Sequence, residues 1–288
     1  MQPIASQRAT QHLLQELKLS PNKLLGQNFL ISANMAQKIV AAADIWEGDR
    51  VLEIGPGLGA LSEYLANRAG ALTLVELDKR LCAHLRRIFA LNECVEVIQA
   101  DAMSFDYIDH AATKHWRDYL LIANMPYNIT SALIQRLLLQ GGPWRSLTLM
   151  MQYEVAQKLL PAVGGGASRP LALLAQYFGT VDLLFSASKE CFFPAPQVES
   201  AVLRVTRHTR PPFVVADTGR FTRFLFAAFS HRRKTLVNSL TNALGGDPEL
   251  WRQALVICGV GEKKRAEQLP LSDYVALFSL PQLQEYLS

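Results

Sequence analysis

Between Arg50 and Arg207, short apolar runs rich in β-branched residues alternate with stretches of helical periodicity, and this alternation limits the possible folds most sharply. The runs lie near 50–54, 72–77, 95–99, 119–123, 146–151, 181–187 and 200–206. Helical patterns lie near 33–43, 59–69, 79–90, 130–140, 153–160 and 170–178. Strands separated by helices predict an α/β fold, a mostly parallel sheet covered on both faces. Only "KECFFPAPQVES" separates the last two runs, so they are expected to pair as an antiparallel hairpin at one edge. At Pro211 and Pro212 the alternation stops. Beyond them the chain reads as helices broken at Gly245-Gly246, Gly259 and Pro270. The expected organisation is a catalytic α/β domain over 1–209, with an N-terminal extension, and a small all-helical domain over 213–288.

"VLEIGPGLGALSEYLA" reads as a strand, a glycine-rich turn and a helix. Gly55, Gly57 and Gly59 let the backbone turn sharply and approach a ligand at the positive end of the helix that follows. Alone, the turn also suits a dinucleotide, through Gly55-x-Gly57-x-x-Ala60. Glu76 ends the second strand, where an acid would hold ribose hydroxyls of NAD or of S-adenosylmethionine. Asp101 ends the third strand, placed to accept from an adenine amino group. With Glu53 inside the first motif and Asn124 at the end of the fourth strand, the ordered set points to S-adenosylmethionine. An NAD dehydrogenase leaves the stretch after Asn124 unexplained.

That stretch is "NMPY", directly after a buried strand. An adenine amino group is a poor nucleophile because its lone pair is delocalised into the ring. Two acceptors aimed at its hydrogens favour the tetrahedral nitrogen that attack requires. Asn124 supplies a side-chain carbonyl, and Met125, held extended by Pro126, supplies a backbone one. Tyr127 offers a face for a stacked base. In "CFFPAPQVES", at least one of the Phe192 and Phe193 rings, Phe192 foremost, is expected to be exposed and to cover the base's other face. No strong general base is needed, and positioning carries the catalysis.

Net charge is only +4, but eight Lys/Arg and a single acid, Asp217, lie between Arg204 and Lys234. A basic stripe on a near-neutral chain is the footprint of a polyanion. Within it, Arg207, Arg223, Arg232, Arg233 and Lys234 are candidate RNA contacts. "SHRRKTLVNSL" is expected to place the last three in the first turn of a helix capped by Ser230, where a phosphate would offset their unfavourable position. The four cysteines have no C-x-x-C spacing, which argues against a zinc site or disulfide framework. No segment reads as a membrane span or secretory signal. A cytoplasmic monomer, with no metal and no membrane, is the expectation.

Through those residues the chain resembles the ribosomal RNA adenine dimethyltransferase family. The likeness runs from about Leu24 through "LGQNFL", "EIGPGLGALS", "VELDK", "ADAMSFD", "NMPYNI", "FFPAPQVESAV", "FSHRRKTLVNSL" and "RAEQLPLSDYVAL". It implies a Rossmann-like, class I S-adenosylmethionine-dependent methyltransferase sheet with a helical RNA-binding domain. It also implies cofactor contacts from Asn28, Leu30, Gly55, Glu76, Asp101 and Asn124, and base handling by Asn124, Tyr127 and Phe192; the residues themselves add Gly57 to the first set and Met125 and Pro126 to the second. Within the family it looks most like the branch that dimethylates two adjacent adenosines near the 3′ end of 16S rRNA, during small-subunit maturation. Two alternatives stand beside it: a 23S rRNA dimethyltransferase of the antibiotic-resistance type, and a mainly non-catalytic assembly or transcription factor. Met125 stands where leucine is usual in the family, a change that a backbone role tolerates.

Overall fold

All seven apolar runs are strands of one sheet in the computed structural model, which describes residues 3–21, 26–161, 168–231 and 233–286. In chain order the elements begin α1 (Gln7–Glu16), β1 (Phe29–Leu30), α2 (Ala33–Ala42), β2 (Arg50–Ile54) and α3 (Ser62–Leu65). There follow β3 (Ala71–Glu76), α4 (Lys79–Ile88), β4 (Val95–Gln99), α5 (Tyr107–Thr113), β5 (Tyr119–Asn124) and α6 (Thr130–Gln140). Next come β6 (Trp144–Gln152), α7 (Tyr153–Gln157), α8 (Pro170–Phe178), β7 (Gly179–Ala187), β8 (Phe192–Phe193) and β9 (Ser200–Arg207). The chain closes with α9 (Thr218–Ala228), α10 (Leu236–Leu244), α11 (Pro248–Ile257) and α12 (Leu271–Phe278).

The strand order is β4-β3-β2-β5-β6-β9-β7. β4, β3, β2, β5 and β6 run parallel, and β9 joins β6 antiparallel. Val51, Leu52, Leu74, Leu121 and Ile122 are all buried, as expected for central strands covered on both faces. After β2 the chain builds outward through β3 and β4, then returns with β5 on the other flank of β2. That reversal is the switch point at which open α/β sheets bind ligands, beyond the carboxyl ends of their strands. The register pairs Glu53 with Ile122 and Ile54 with Ala123, so Gly55 and Asn124 leave the sheet side by side.

Three local expectations need correction. The helix expected over 59–69 contracts to α3, because Gly59 sits at φ +96°, which a right-handed helix excludes. The segment between β7 and β9 is more than a stiff loop. Its β8 pairs antiparallel with β1, Phe29 opposite Phe193 and Leu30 opposite Phe192, as a separate two-stranded sheet. Finally, α10 starts at Leu236 behind the cap of Thr235, whose hydroxyl accepts from the Asn238 N–H at 3.4 Å. Arg233 and Lys234 therefore precede the helix in a turn, and Ser230 binds the His231 ring instead of capping. Arg232 lies outside the described residues.

The chain separates into two compact units, Met1–Gln157 with Asp182–Arg207, and Lys158–Val181 with His208–Ser288. The expected division at 209 to 213 is thus incomplete, since 158–181 groups with the C-terminal helices. The reason lies in α8, which buries six of its nine residues. Its Tyr177 ring lies 5.4 Å from Phe221 of α9, which in turn lies 5.3 Å from Phe278 of α12. An almost wholly apolar helix cannot stay on a surface, and those aromatics enclose it.

Candidate active site

A cavity of about 300 Å³ opens in the first unit beyond the ends of β2, β3, β4 and β5. Its wall brings together Asn28, Leu30, Gly55, Gly57, Glu76, Asp101, Asn124, Met125, Pro126 and Tyr127. These come from five stretches of sequence, and a shared wall is what the ordered motifs required.

The glycine turn forms one side. Gly55, Gly57 and Gly59 have φ of +63°, +59° and +96°, angles that side chains with a Cβ rarely adopt. Glu76 anchors the turn: its Oε2 accepts from the Gly57 N–H at 3.0 Å, and its Oε1 accepts from the Asp78 N–H at 2.9 Å. Burial raises the Glu76 pKa, and the hydrogen bonds from Asp78 and Gly57 oppose the rise. Asp101 is exposed, and its Oδ1 accepts from the Met103 N–H at 2.8 Å.

Asn124 ends β5 with its orientation decided. Its Nδ2 donates to the backbone carbonyl of Asn28 at 3.1 Å. A carbonyl can only accept, so the nitrogen must face it and Oδ1 is turned away. Among the described residues, Oδ1 accepts no hydrogen bond. The loop supplying that carbonyl lies flat against the motif: a Cβ on Gly26, at φ +64°, would come within 2.9 Å of the Tyr127 nitrogen. Met125 is buried, its N–H bonded to the Met150 carbonyl at 2.9 Å. Thr130 donates to the Pro126 carbonyl at 2.8 Å. Tyr127 is half-buried on the cavity wall, and its hydroxyl meets the Ser200 hydroxyl at 2.7 Å. That anchor fixes the ring, and burial holds the phenol above its usual range.

Phe192 is a correction. It is 2% exposed and belongs to the core cluster that contains Leu30 and Val202. Pairing with Leu30 turns its ring inward, away from any base, while the neighbouring Phe193 is half-buried. Arg207 is a second. Its guanidinium donates to the Gly142 carbonyl at 2.6 Å and lies 4.8 Å from the Trp144 ring, which makes it a structural brace, half-buried. Arg223, Arg233 and Lys234 are exposed in the second unit.

Sequence reasoning noticed Glu53 without foreseeing its state. The residue lines the cavity, is 1% exposed, and accepts from the Ser62 hydroxyl at 2.6 Å. Burial pushes its carboxyl up to about 8, and Glu76 nearby adds to the rise. An acid two residues before a glycine turn, in a buried strand, is the local signal for it. The wall contributed by Ile4 and Thr10 was not foreseen either. The Ile4 N–H is held by Glu63 Oε2 at 3.0 Å, a contact across 59 residues that no local pattern announces.

A family model described as ribosomal RNA adenine dimethylase matches residues 19–282. The ribosomal RNA small subunit methyltransferase A of Pelotomaculum thermopropionicum is 37% identical over 282 residues, spanning 95% of this chain and 96% of that protein. The solved structure of the 23S rRNA methyltransferase ErmE aligns with a TM-score of 0.66 at 25% identity, over 90% of this chain and 99% of that one. A dimethyladenosine transferase from Plasmodium falciparum aligns with a TM-score of 0.69 at 22% identity, over 90% and 98%.

Proposed function

The chain belongs to the ribosomal RNA adenine dimethylase family and is an rRNA adenine dimethyltransferase, and on that premise we propose that it dimethylates two adjacent adenosines near the 3′ end of 16S rRNA in the small ribosomal subunit, with S-adenosylmethionine as donor. Its sheet is the Rossmann-like sheet of class I methyltransferases.

The oriented amide of Asn124 carries this reading. An acceptor aimed into a cavity at the end of β5 suits an amino group that must lose conjugation before it can react. Met125, extended before Pro126, adds a second acceptor through its carbonyl. Tyr127, fixed by Ser200, gives the base a rigid face. Phe192 takes no part, because the core encloses it. The donor set suits the cofactor: Glu76 for ribose hydroxyls, the glycine backbone for close approach, and Asp101 for an adenine amino group. When bound, S-adenosylmethionine supplies a methyl group already activated on a sulfonium, so the chain needs to position the two reactants and stabilise charge at the amino nitrogen. Arg223, Arg233 and Lys234 are assigned to phosphate contacts in the second unit. A cytoplasmic monomer suffices for this chemistry.

The test is a single reaction with methyl-labelled S-adenosylmethionine, small subunits lacking the modification and unmodified large-subunit RNA, read by mass spectrometry of the digested RNAs. Two neighbouring dimethyladenosines near the 3′ end are expected. Label found only in large-subunit RNA would move the chain to the other branch, to which the ErmE likeness gives slight weight. Cofactor binding with no label in either RNA would favour a role in assembly without catalysis.

A further inference from the structure

His84 is a buried polar residue that the proposed reaction leaves unused. It lies on α4, 2% exposed, with Nε2 3.2 Å from the carbonyl oxygen of Leu58. Leu58 sits between Gly57 and Gly59, on the wall of the cavity. Because that carbonyl only accepts, Nε2 carries the proton and Nδ1 is a bare lone pair. Nδ1 is buried without a hydrogen-bond partner among the described residues. Burial holds the imidazole below its usual range and Arg87 adds to this, while the Leu58 bond and Glu16 pull the other way. The ring is therefore neutral at physiological pH, in one tautomer.

An orphaned nitrogen inside a packed region costs free energy that methionine or leucine would avoid. What the ring supplies in exchange is a donor for Leu58. Among the described residues, no backbone N–H takes that role. The turn is thereby held at three successive residues. Glu76 takes the Gly57 N–H at 3.0 Å, His84 gives to the Leu58 carbonyl, and the Pro56 carbonyl takes the Gly59 N–H at 2.9 Å. Two of the three holds are side chains reaching in from β3 and α4.

We propose that His84 is a positioning residue for the cofactor: by clamping the Leu58 carbonyl it fixes the glycine turn and sets the affinity for S-adenosylmethionine, without touching the methyl group or the base. The proposal rests on the cofactor reading above. It assigns His84 to the binding step alone, so its loss belongs in KM for the cofactor and not in kcat.

Two variants of similar length separate the donor from the packing. His84→Gln keeps an N–H near the position of Nε2, and His84→Met fills the space without one. Calorimetric titration with S-adenosylmethionine, steady-state transfer to unmodified small subunits and thermal melting would be measured for both. His84→Met is expected to weaken cofactor binding roughly three- to tenfold, the worth of one hydrogen bond, and to raise its KM in parallel. kcat at saturating cofactor should stay within about twofold of wild type, and His84→Gln should restore most of the affinity. Equal cofactor affinity in the two variants overturns the clamp, whatever their melting temperatures. Should neither variant fold, nitrogen–proton NMR of the wild-type imidazoles decides. An Nε2–H tautomer at His84 whose resonance moves on cofactor addition supports the proposal, and an Nδ1–H tautomer or an unmoved resonance overturns it. A wild-type chain that binds no S-adenosylmethionine would overturn the cofactor reading and this proposal with it, a result distinct from equal binding by the variants.

Discussion

At Asn124 the two ends of one amide differ: the nitrogen is bound to the Asn28 carbonyl, and the oxygen, turned away from it, is the acceptor proposed for the amino group. Asn124→Ala removes the acceptor and should lower kcat by about 10²–10³-fold, the usual cost of one oriented group at a reacting centre, with RNA affinity nearly unchanged. Asn124→Asp keeps an oxygen but turns a carboxylate towards the Asn28 carbonyl, so it should be comparably inactive. Labelled methyl transfer at saturating substrates checks both, and wild-type turnover in Asn124→Ala would remove the amino-group cradle. Glu53 makes a different prediction. Its carboxyl is held at about 8 in the fold against an ordinary 4.5, so its protonated form is favoured by folding. That contribution is complete below 4.5 and is lost as pH rises towards 8. Glu53→Gln cannot ionise and still accepts from Ser62. It should therefore raise stability at pH 8 by roughly 2–4 kcal/mol and flatten the slope of stability with pH between 5 and 8. Urea unfolding at several pH values measures it, and an unchanged slope would mean that Glu53 is ionised in the folded chain.

At the scale of elements, what was legible followed local periodicity. The central strands and the helices between them are long enough to show period two or 3.6, and the residues at their ends, Gly55, Glu76, Asp101 and Asn124, share one cavity wall. What escaped depended on distant partners. β1 and β8 have two residues each, too few for any pattern, yet their pairing across more than 160 residues decides that Phe192 faces inward. Arg207 read as part of a basic stripe because charge is visible in sequence, whereas the Gly142 carbonyl and the Trp144 ring that occupy it are not. The remaining exposed cations of the turn before α10 carry a prediction at this scale. Replacing Arg233 and Lys234 with Gln should reduce the slope of log affinity for RNA against log salt by up to about two phosphate contacts. Filter binding across a salt series checks it, and an unchanged slope would place the RNA contacts elsewhere. In the helical unit, Tyr177→Ala opens a void beside Phe221, and a loss of about 3–5 kcal/mol is expected in denaturant unfolding.

For the molecule as a whole, acid and base act in opposite directions. His84 and His110 are both buried, 2% and 9% exposed, with their imidazoles held below the ordinary 6.5 by burial. Their neutral forms are favoured by folding, so the stability they bring is present above 6.5 and is lost as pH falls below it. Against the loss that Glu53 imposes at higher pH, stability should peak near neutrality, and calorimetric melting from pH 5 to 9 would display the maximum. A steady rise in melting temperature down to pH 5 would contradict the neutral histidines. The division of the chain has a further meaning for how such enzymes can be recombined. Because α8 precedes β7 and β9 in sequence yet shares its core with α9 and α12, the helical unit is written in two passages with part of the sheet between them. A graft that exchanges only the residues after Pro212 would seat foreign helices on a resident α8 and break the ring contacts of Tyr177. Transplanting the unit intact takes two joints, and relatives that differ in their RNA target would have to co-evolve both passages.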